Sequence, residues 1–417
     1  CLKVRQTGHL VVWTPHALMM HVGSVSQKAS DPAALAPRRT RFQSEQDSMY
    51  AKWLPLLAHD PAYHRHFVLH GAGFKVDSEL ALPPKGQGSG LRVLARAGDA
   101  WGSGPYRVIE PLDALREAGE VHGAWTLGAP TLAAVARFDP DVIVLQRQIT
   151  EEQLTAMRQM RAFSRAFKVY ELDDYLPNLP LDSAHRAGVP KDVLKILRNG
   201  LGMVDRLVVA TEALAEAFSG LHGDIRVAEN YLPVRWWGAL KPPRRGAGVK
   251  PRVGWAGGAS HEGDLSVIAD VVRELSSEVE WVFMGMCPEA LLPYVHEFHF
   301  GVPIEQYPQR LAALNLDLAI APLDDNQFNA CKSPLKLLEY GACGYPVVCS
   351  DIGPYRRSGL PVTRVRNRFK DWVSAIRMHT HDLAAAAQAG DALRSAVLRA
   401  GLLQGEAVKA WLKAWTP

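Results

Sequence analysis

The chain has 417 residues, and at roughly 100–200 residues per domain that length predicts two or three domains. Apolar residues make up 47% and charged residues 22%, which excludes disorder, collagen-like repeats and coiled coil as descriptions of the whole. Lys and Arg (47) nearly balance Asp and Glu (43), so the net charge of +4 points to no nucleic-acid partner. No apolar run approaches the roughly 18 residues that a membrane-spanning helix needs.

Five cysteines (Cys1, Cys287, Cys331, Cys343, Cys349) are too few and too irregularly spaced for a disulfide framework or a zinc site. They read as the reduced thiols of a cytoplasmic enzyme. No signal peptide is recognisable, and a chain that starts at Cys1 reads as a piece of a longer polypeptide.

Residues 32–41 and 82–90 have the composition of loop or linker, and 42–53 fit a helix. From Arg92 onward, apolar runs predict strands at 92–95, 141–145, 167–172, 206–210, 252–255, 279–284, 317–321 and 346–349. Most lack polar alternation, as strands buried on both faces of a parallel sheet do. Helices are expected between them at 111–118, 151–166 and 265–275, and a helical end at 383–415 should pack on one of the domains. This alternation predicts α/β folding in doubly wound layers. Residues 230–252, with prolines, basic residues and the pair Trp236–Trp237, break the rhythm as an interdomain linker would. Two α/β domains on either side leave a cleft between them, the default small-molecule site.

Four stretches carry candidate chemistry. Gly102, Gly104 and Arg107 follow the first strand, but Arg107 stands where a dinucleotide fingerprint needs its third glycine, so NAD binding is not expected. Arg107 and Arg147 read as anion or acceptor contacts, or singly as surface arginines. Asp173 and Asp174 lie at the carboxyl end of a strand, where they suit a base or hydroxyl-binding role, or a helix cap and turn. No third carboxylate is near, and a metal site is the least favoured reading. Gly257, Gly258, Ser260 and His261 form a small-residue turn after a buried strand, which lets backbone N–H groups approach a phosphate. Glycine in such turns also serves positive φ alone.

The fourth stretch, 326–351, is the most informative. Ser333 and Pro334 predict a helix start, with Ser333 as N-cap and Lys336 at the third helical position. Lys332 and Lys336 then crowd the positive end of one helix, a conflict that a bound anion relieves. Glu339 lies three residues after Lys336 on the same face, so the cations and carboxylate suit a diphosphate and a sugar diol. The same spacing also fits a solvated charged face with an i,i+3 pair.

Gly254, Ser260, His261, Asp264 and Leu265, then Ala321 to Leu323, then Asn326, Phe328, Asn329, Lys332, Ser333, Lys336, Glu339, Tyr340, Gly341, Gly344 and Pro346 resemble the carboxyl half of group 1 (retaining, family 4-like) glycosyltransferases. Gly102, Gly104, Tyr106, Arg107, Gln146, Arg147, Asp173, Asp174, Asp205, Thr211, Glu229 and Asn230 fit the amino half, and the resemblance covers about 91–380. It implies two Rossmann-like domains facing a cleft (GT-B), and it is nearest to enzymes of bacterial surface-polysaccharide, O-antigen-type lipopolysaccharide assembly. It implies a nucleotide diphosphate sugar donor, a saccharide or lipid-linked saccharide acceptor, no cofactor and no bound metal. Glu339 would hold the donor ribose. Lys332, Lys336 and the loop of Gly257, Gly258, Ser260 and His261 would hold the diphosphate, with the base near Met284 and Met286. Asn329, Ser333 and Tyr340 complete the donor side, and Gly104, Arg107, Arg147 and Asp173 form the acceptor side. Asp174 joins Lys332, Lys336 and Glu339 as catalytic. Many members carry a glutamate eight residues before Glu339, where this chain has Cys331.

Val12 to Pro15, His21 to Ser26, Arg41, Phe42, Glu45, Trp53, Asp60, Pro61 and Tyr63 resemble the tail of a family 2-like (GT-A) glycosyltransferase. That tail implies that 1–60 lacks its own core, with His21 a relic of a metal-side histidine. The expected division is thus the 1–60 tail, a linker at 61–90, an acceptor-side domain at 91–235, a linker at 236–251, a nucleotide-sugar domain at 252–380 and helices at 381–417. A nucleotide-sugar 2-epimerase and a non-catalytic sugar-nucleotide or glycan module are the rival readings. The expected location is the cytoplasm, at the inner face of the plasma membrane if the basic residues from Lys241 to Arg252 touch lipid, although a solvated linker fits them as well.

Overall fold

In the computed structural model, which describes residues 1–20, 32–78, 80, 90–180, 184–258 and 261–417, the chain builds two sheets. The first contains β1 (Leu91–Arg96), β2 (Val121–Thr126), β3 (Val142–Gln146), β4 (Phe167–Leu172), β5 (Arg206–Val209) and β6 (Ile225–Val227), in the order β2-β1-β3-β4-β5-β6. The second contains β7 (Arg252–Gly257), β8 (Glu280–Gly285), β9 (Glu297–Phe300), β10 (Leu318–Ala321), β11 (Val347–Ser350) and β12 (Thr363–Val365), in the order β12-β11-β10-β7-β8-β9. Every pairing is parallel. The expected doubly wound α/β architecture is therefore present twice.

Side chains of successive strand residues enter opposite cores. Val142 and Val144 pack on one face of the first sheet, Ile143 and Leu145 on the other. In the second sheet Trp255 and Ala256 divide in the same way. This is why the inner strands read as unbroken apolar runs. The order reverses between β1 and β3 and again between β7 and β10, and crevices for ligands form at the carboxyl ends of strands at such points.

Several local expectations change. Residues 32–41 belong to the helix Pro32–Ala58, because proline is compatible with a helix start and the following residues are good helix formers. In place of one helix at 265–275, the chain makes Glu262–Ser266 and Ala269–Leu275. The stretch 61–78, expected as linker, folds back around Tyr63, whose hydroxyl donates to the Val68 carbonyl (2.8 Å) and accepts from the Phe74 N–H (2.7 Å). The terminal helices divide between both domains. Leu383–Ala400 buries Leu393 and Val397 in the core of the second, while Glu406–Trp415 returns Trp411 and Trp415 to the first.

Among the described residues of 1–60, Leu54 and Ala58 are the buried side chains. Their helix lies on the first domain, with Tyr50 edge-on to Phe163 (5.9 Å) and Arg137 donating to the Ala58 carbonyl (2.8 Å). No helix of the described residues is long and apolar enough to cross a membrane.

Candidate functional site

The carboxyl ends of β1, β4, β7 and β8 open onto one cavity of about 500 Å³ between the domains. On the first-domain wall, the turn after β1 wraps around Asp99, whose carboxylate accepts the N–H groups of Trp101 (3.1 Å), Gly102 (2.5 Å) and Gly104 (3.3 Å). A Cβ on Gly104 would overlap the Asp99 carbonyl oxygen, so the turn requires glycine there. The chain then enters a π-turn, Pro105–Ile109, ahead of the helix Glu110–Glu117. Such bulges frequently sit at functional sites.

That turn sends Tyr106 and Arg107 to different places. Arg107, expected at the acceptor, is fully buried: it pairs with the Glu171 carboxylate, donates to the Ala228 carbonyl and to Asn230 Oδ1 (2.9 Å), and lies 4.6 Å above the Trp411 ring. Its guanidinium is used up within the first domain. Arg147 donates to Ser103 Oγ (2.8 Å) and to both oxygens of Asp173 (2.8 and 3.0 Å). Burial raises Asp173, but Arg147 outweighs it and holds the carboxyl below its ordinary range. Asp174 lies 4.0 Å from Arg147, with its side chain 31% exposed on the cavity wall.

On the second-domain wall, β7 and β8 end as bare backbone. A Cβ on Gly285, which has φ +93°, would overlap the Gly257 carbonyl, and one on Gly257 would come within 2.6 Å of the Trp255 ring. Gly258 opens into free space. Ser260 and His21 lie outside the described residues. His261 Nδ1 is 2.7 Å from Asp264 Oδ2. Burial, helped by Lys332 and Lys336, pushes the imidazole down to about 3. A neutral ring beside an ionised carboxylate donates from Nδ1, which leaves Nε2 with its lone pair.

Asp264, quoted in the motif but given no role, is the hub of this wall. Its Oδ1 accepts from Asn329 Nδ2 (2.7 Å) and the Asp324 N–H (2.9 Å), and Lys332 Nζ stands 3.9 Å from Oδ2. Asn329 is thus buried as a support for Asp264 and does not line the cavity. The helix Leu335–Cys343 begins one residue later than expected, with Pro334 as N-cap and Lys336 in its second position. Ser333, expected as the cap, accepts from Asn230 Nδ2 across the domains (2.8 Å).

Lys336 Nζ donates to the Ala256 carbonyl and lies 5.2 Å above the Trp255 ring, and burial pushes it down to about 8. Glu339 accepts from Tyr106 on Oε1 (2.9 Å) and from Tyr307 on Oε2 (3.1 Å), and burial raises its pKa against the pull of Lys336. Tyr340, expected on the donor side, is fully buried and bonds the Ala256 N–H (2.8 Å), so it holds the end of β7 in place. Cys331 also faces away: Thr211 donates to its carbonyl (2.8 Å), and its thiol packs in the first-domain core near Ala213.

Of the expected residues, Gly102, Arg107, Asp173, Asp174, Gly257, Gly258, His261, Lys332, Ser333, Lys336 and Glu339 share the cavity wall, although the Arg107 guanidinium is spent on Glu171, Ala228 and Asn230. Tyr307, Val302 and Ile304 also line it but belong to no motif. Among the described residues, no group of three His, Cys, Asp or Glu could hold a metal ion. The arrangement offers an anion two lysines and free backbone, a diol a buried carboxylate, and a flat ring the apolar edge of Met284, Val302 and Ile304.

No protein-family model matches the chain. The uncharacterized protein y4gI of Sinorhizobium fredii is 37% identical over 78 residues, which is 19% of this chain and 8% of that protein. TarM superposes with a TM-score of 0.50 at 15% identity, over 68% of this chain and 57% of its own length. Sucrose-phosphate synthase from Thermosynechococcus elongatus gives 0.56 at 15% identity, over 77% of this chain and 96% of that one. Anabaena HepE, in complex with UDP and glucose, gives 0.52 at 15% identity, over 78% and 98%. The chain therefore has the GT-B fold, two Rossmann-like domains facing a cleft.

Proposed function

We propose that this chain transfers a sugar from a nucleotide diphosphate sugar to a saccharide or lipid-linked saccharide in surface-polysaccharide assembly. The observation that carries the reading is the placement of Lys332, Lys336 and the bare Gly257–Gly258 backbone beside Glu339 in one interdomain cavity. The chemical burden of such a reaction is the charge that develops on the departing diphosphate, and preorganised cations in a closed cleft stabilise it. Lys332 and Lys336 supply that charge here, so no metal is given a role. Glu339 takes a ribose diol by exchanging its Tyr106 bond, and the base lies along Met284 and Ile304. HepE, of the same fold, is described with UDP, which supports a nucleoside diphosphate as the ligand class.

In a retaining front-face reaction the leaving phosphate accepts the acceptor proton. In an inverting one Asp174 is the better base, because Arg147 lowers the basicity of Asp173. Among the described residues of 1–60 the buried side chains are Leu54 and Ala58, on the helix that lies on the first domain, which supports reading this segment as the tail of a GT-A-like domain. One observation favours a non-catalytic sugar-nucleotide module instead: Cys331 replaces the expected carboxylate and turns into the first-domain core.

The test is a thermal-shift and donor-hydrolysis screen with UDP-, GDP-, dTDP- and CMP-sugars beside Glu339→Ala and Lys336→Ala. Stabilisation by one nucleotide class, lost in both variants, with slow sugar release by the wild type, is expected. Binding without turnover favours the binding module, and no shift from any nucleotide overturns the donor site.

A further inference from the structure

We propose that Trp101 is the stacking platform for the saccharide acceptor. Six of the chain's tryptophans are fully buried, as befits a side chain with so much apolar surface. Trp101 is instead 75% exposed and lines the interdomain cavity. The backbone that carries it is nonetheless held firmly. Its N–H is one of three that the Asp99 carboxylate accepts, Ser103 Oγ donates to the same carboxylate (3.3 Å), and Gly104 closes the turn where no Cβ fits. A fixed turn that presents an open indole to a cavity suits a ligand with a flat apolar face, because little backbone entropy is lost on stacking.

The surroundings narrow the ligand further. Asp173, Asp174 and Ser103 line the same cavity. An indole flanked by carboxylates and a hydroxyl matches a pyranose ring, whose C–H face is apolar and whose edge is ringed with hydroxyl donors. A nucleobase has its own apolar wall on the other domain, at Met284, Val302 and Ile304. This assignment rests on the glycosyl-transfer reading and names the element of the first domain that receives the acceptor.

The experiment is saturation-transfer-difference NMR with maltose, cellobiose and chitobiose, each with saturating UDP, on the wild type, Trp101→Ala and Trp101→Phe. Calorimetric titration of UDP, GDP, dTDP and CDP accompanies it, and the NMR is repeated with whichever nucleotide binds. The wild type should transfer saturation to the ring protons of at least one disaccharide. Trp101→Ala should weaken that binding about tenfold or more, the worth of one aromatic contact, while Trp101→Phe retains most of it. Nucleotide affinity should stay within about twofold in both variants. Disaccharide binding unchanged in Trp101→Ala, or absent from the wild type, overturns the platform. Lost nucleotide affinity in Trp101→Ala also overturns it, by giving the indole to the base. Nucleotide binding absent from all three proteins overturns the glycosyl-transfer reading instead, and with it the acceptor assignment.

Discussion

On the first-domain wall of the cavity both arginines are matched by carboxylates: Arg107 by Glu171, Arg147 by Asp173. On the second-domain wall Lys336 bonds a neutral carbonyl, and Lys332 shares Asp264 with His261, Asn329 and the Asp324 backbone. Equal numbers of cations are thus held differently: each arginine is hydrogen-bonded to a carboxylate, whereas Lys336 is bonded to a carbonyl and Lys332 stands 3.9 Å from Asp264. An anion site is marked by cations not locked onto a carboxylate, and cations close in sequence to a glycine turn do not by themselves reveal it.

The largest way to break this contrast is Arg107→Met. It leaves Glu171 buried without its partner, and the expected loss of stability is about 3–5 kcal/mol, read by urea denaturation. Nucleoside diphosphate affinity of the folded fraction should hold. Lys336→Ala does the reverse. One charge-assisted hydrogen bond is worth about 1.5–3 kcal/mol, so affinity should fall roughly 10- to 100-fold by calorimetry, with little loss of stability. An Arg147→Ala protein that lost as much affinity would erase the contrast.

The pH dependence sharpens the same point. Burial pushes Lys336 down to about 8, so nucleoside diphosphate affinity should decline as pH rises through that value. Lys336→Arg should move the decline to higher pH, because a guanidinium stays charged. The stability effect has the opposite sign: between pH 8 and the ordinary lysine pKa of 10.5 the unfolded chain binds more protons than the folded one, so this group's contribution to stability rises with pH. Denaturation midpoints at pH 7.5 and 9.5, read as about two pH values inside and outside that window, check it.

The smallest expected effect belongs to Tyr106→Phe. It removes the hydroxyl that holds Glu339 Oε1 across the domains. If a ribose diol exchanges with that hydroxyl, affinity should rise about threefold, in keeping with a net hydrogen bond of about 0.5–1.5 kcal/mol. Unchanged or weaker affinity would show that Tyr106 orients Glu339 for the ligand.

The eight inner strands, the glycine turn after β7 and the pairing of two lysines with Glu339 were determined by the sequence itself. Strands buried on both faces must be apolar throughout, and a cation at a helix start breaks a local rule, so both leave a mark in the chain. The four strands missed, β2, β6, β9 and β12, are the four sheet edges. Edge strands are short or half-exposed, and their polar residues hide the pattern. Only the tertiary structure decided that the Arg107 guanidinium is spent on Glu171, that Tyr340 and Cys331 face away from the cavity, and that Tyr307 and Tyr106 meet at Glu339. Each of these depends on which partner a side chain finds across more than thirty residues of chain or across the two domains. Local propensity carries no information about that choice, because burial and hydrogen-bond partners are assigned when the domains pack.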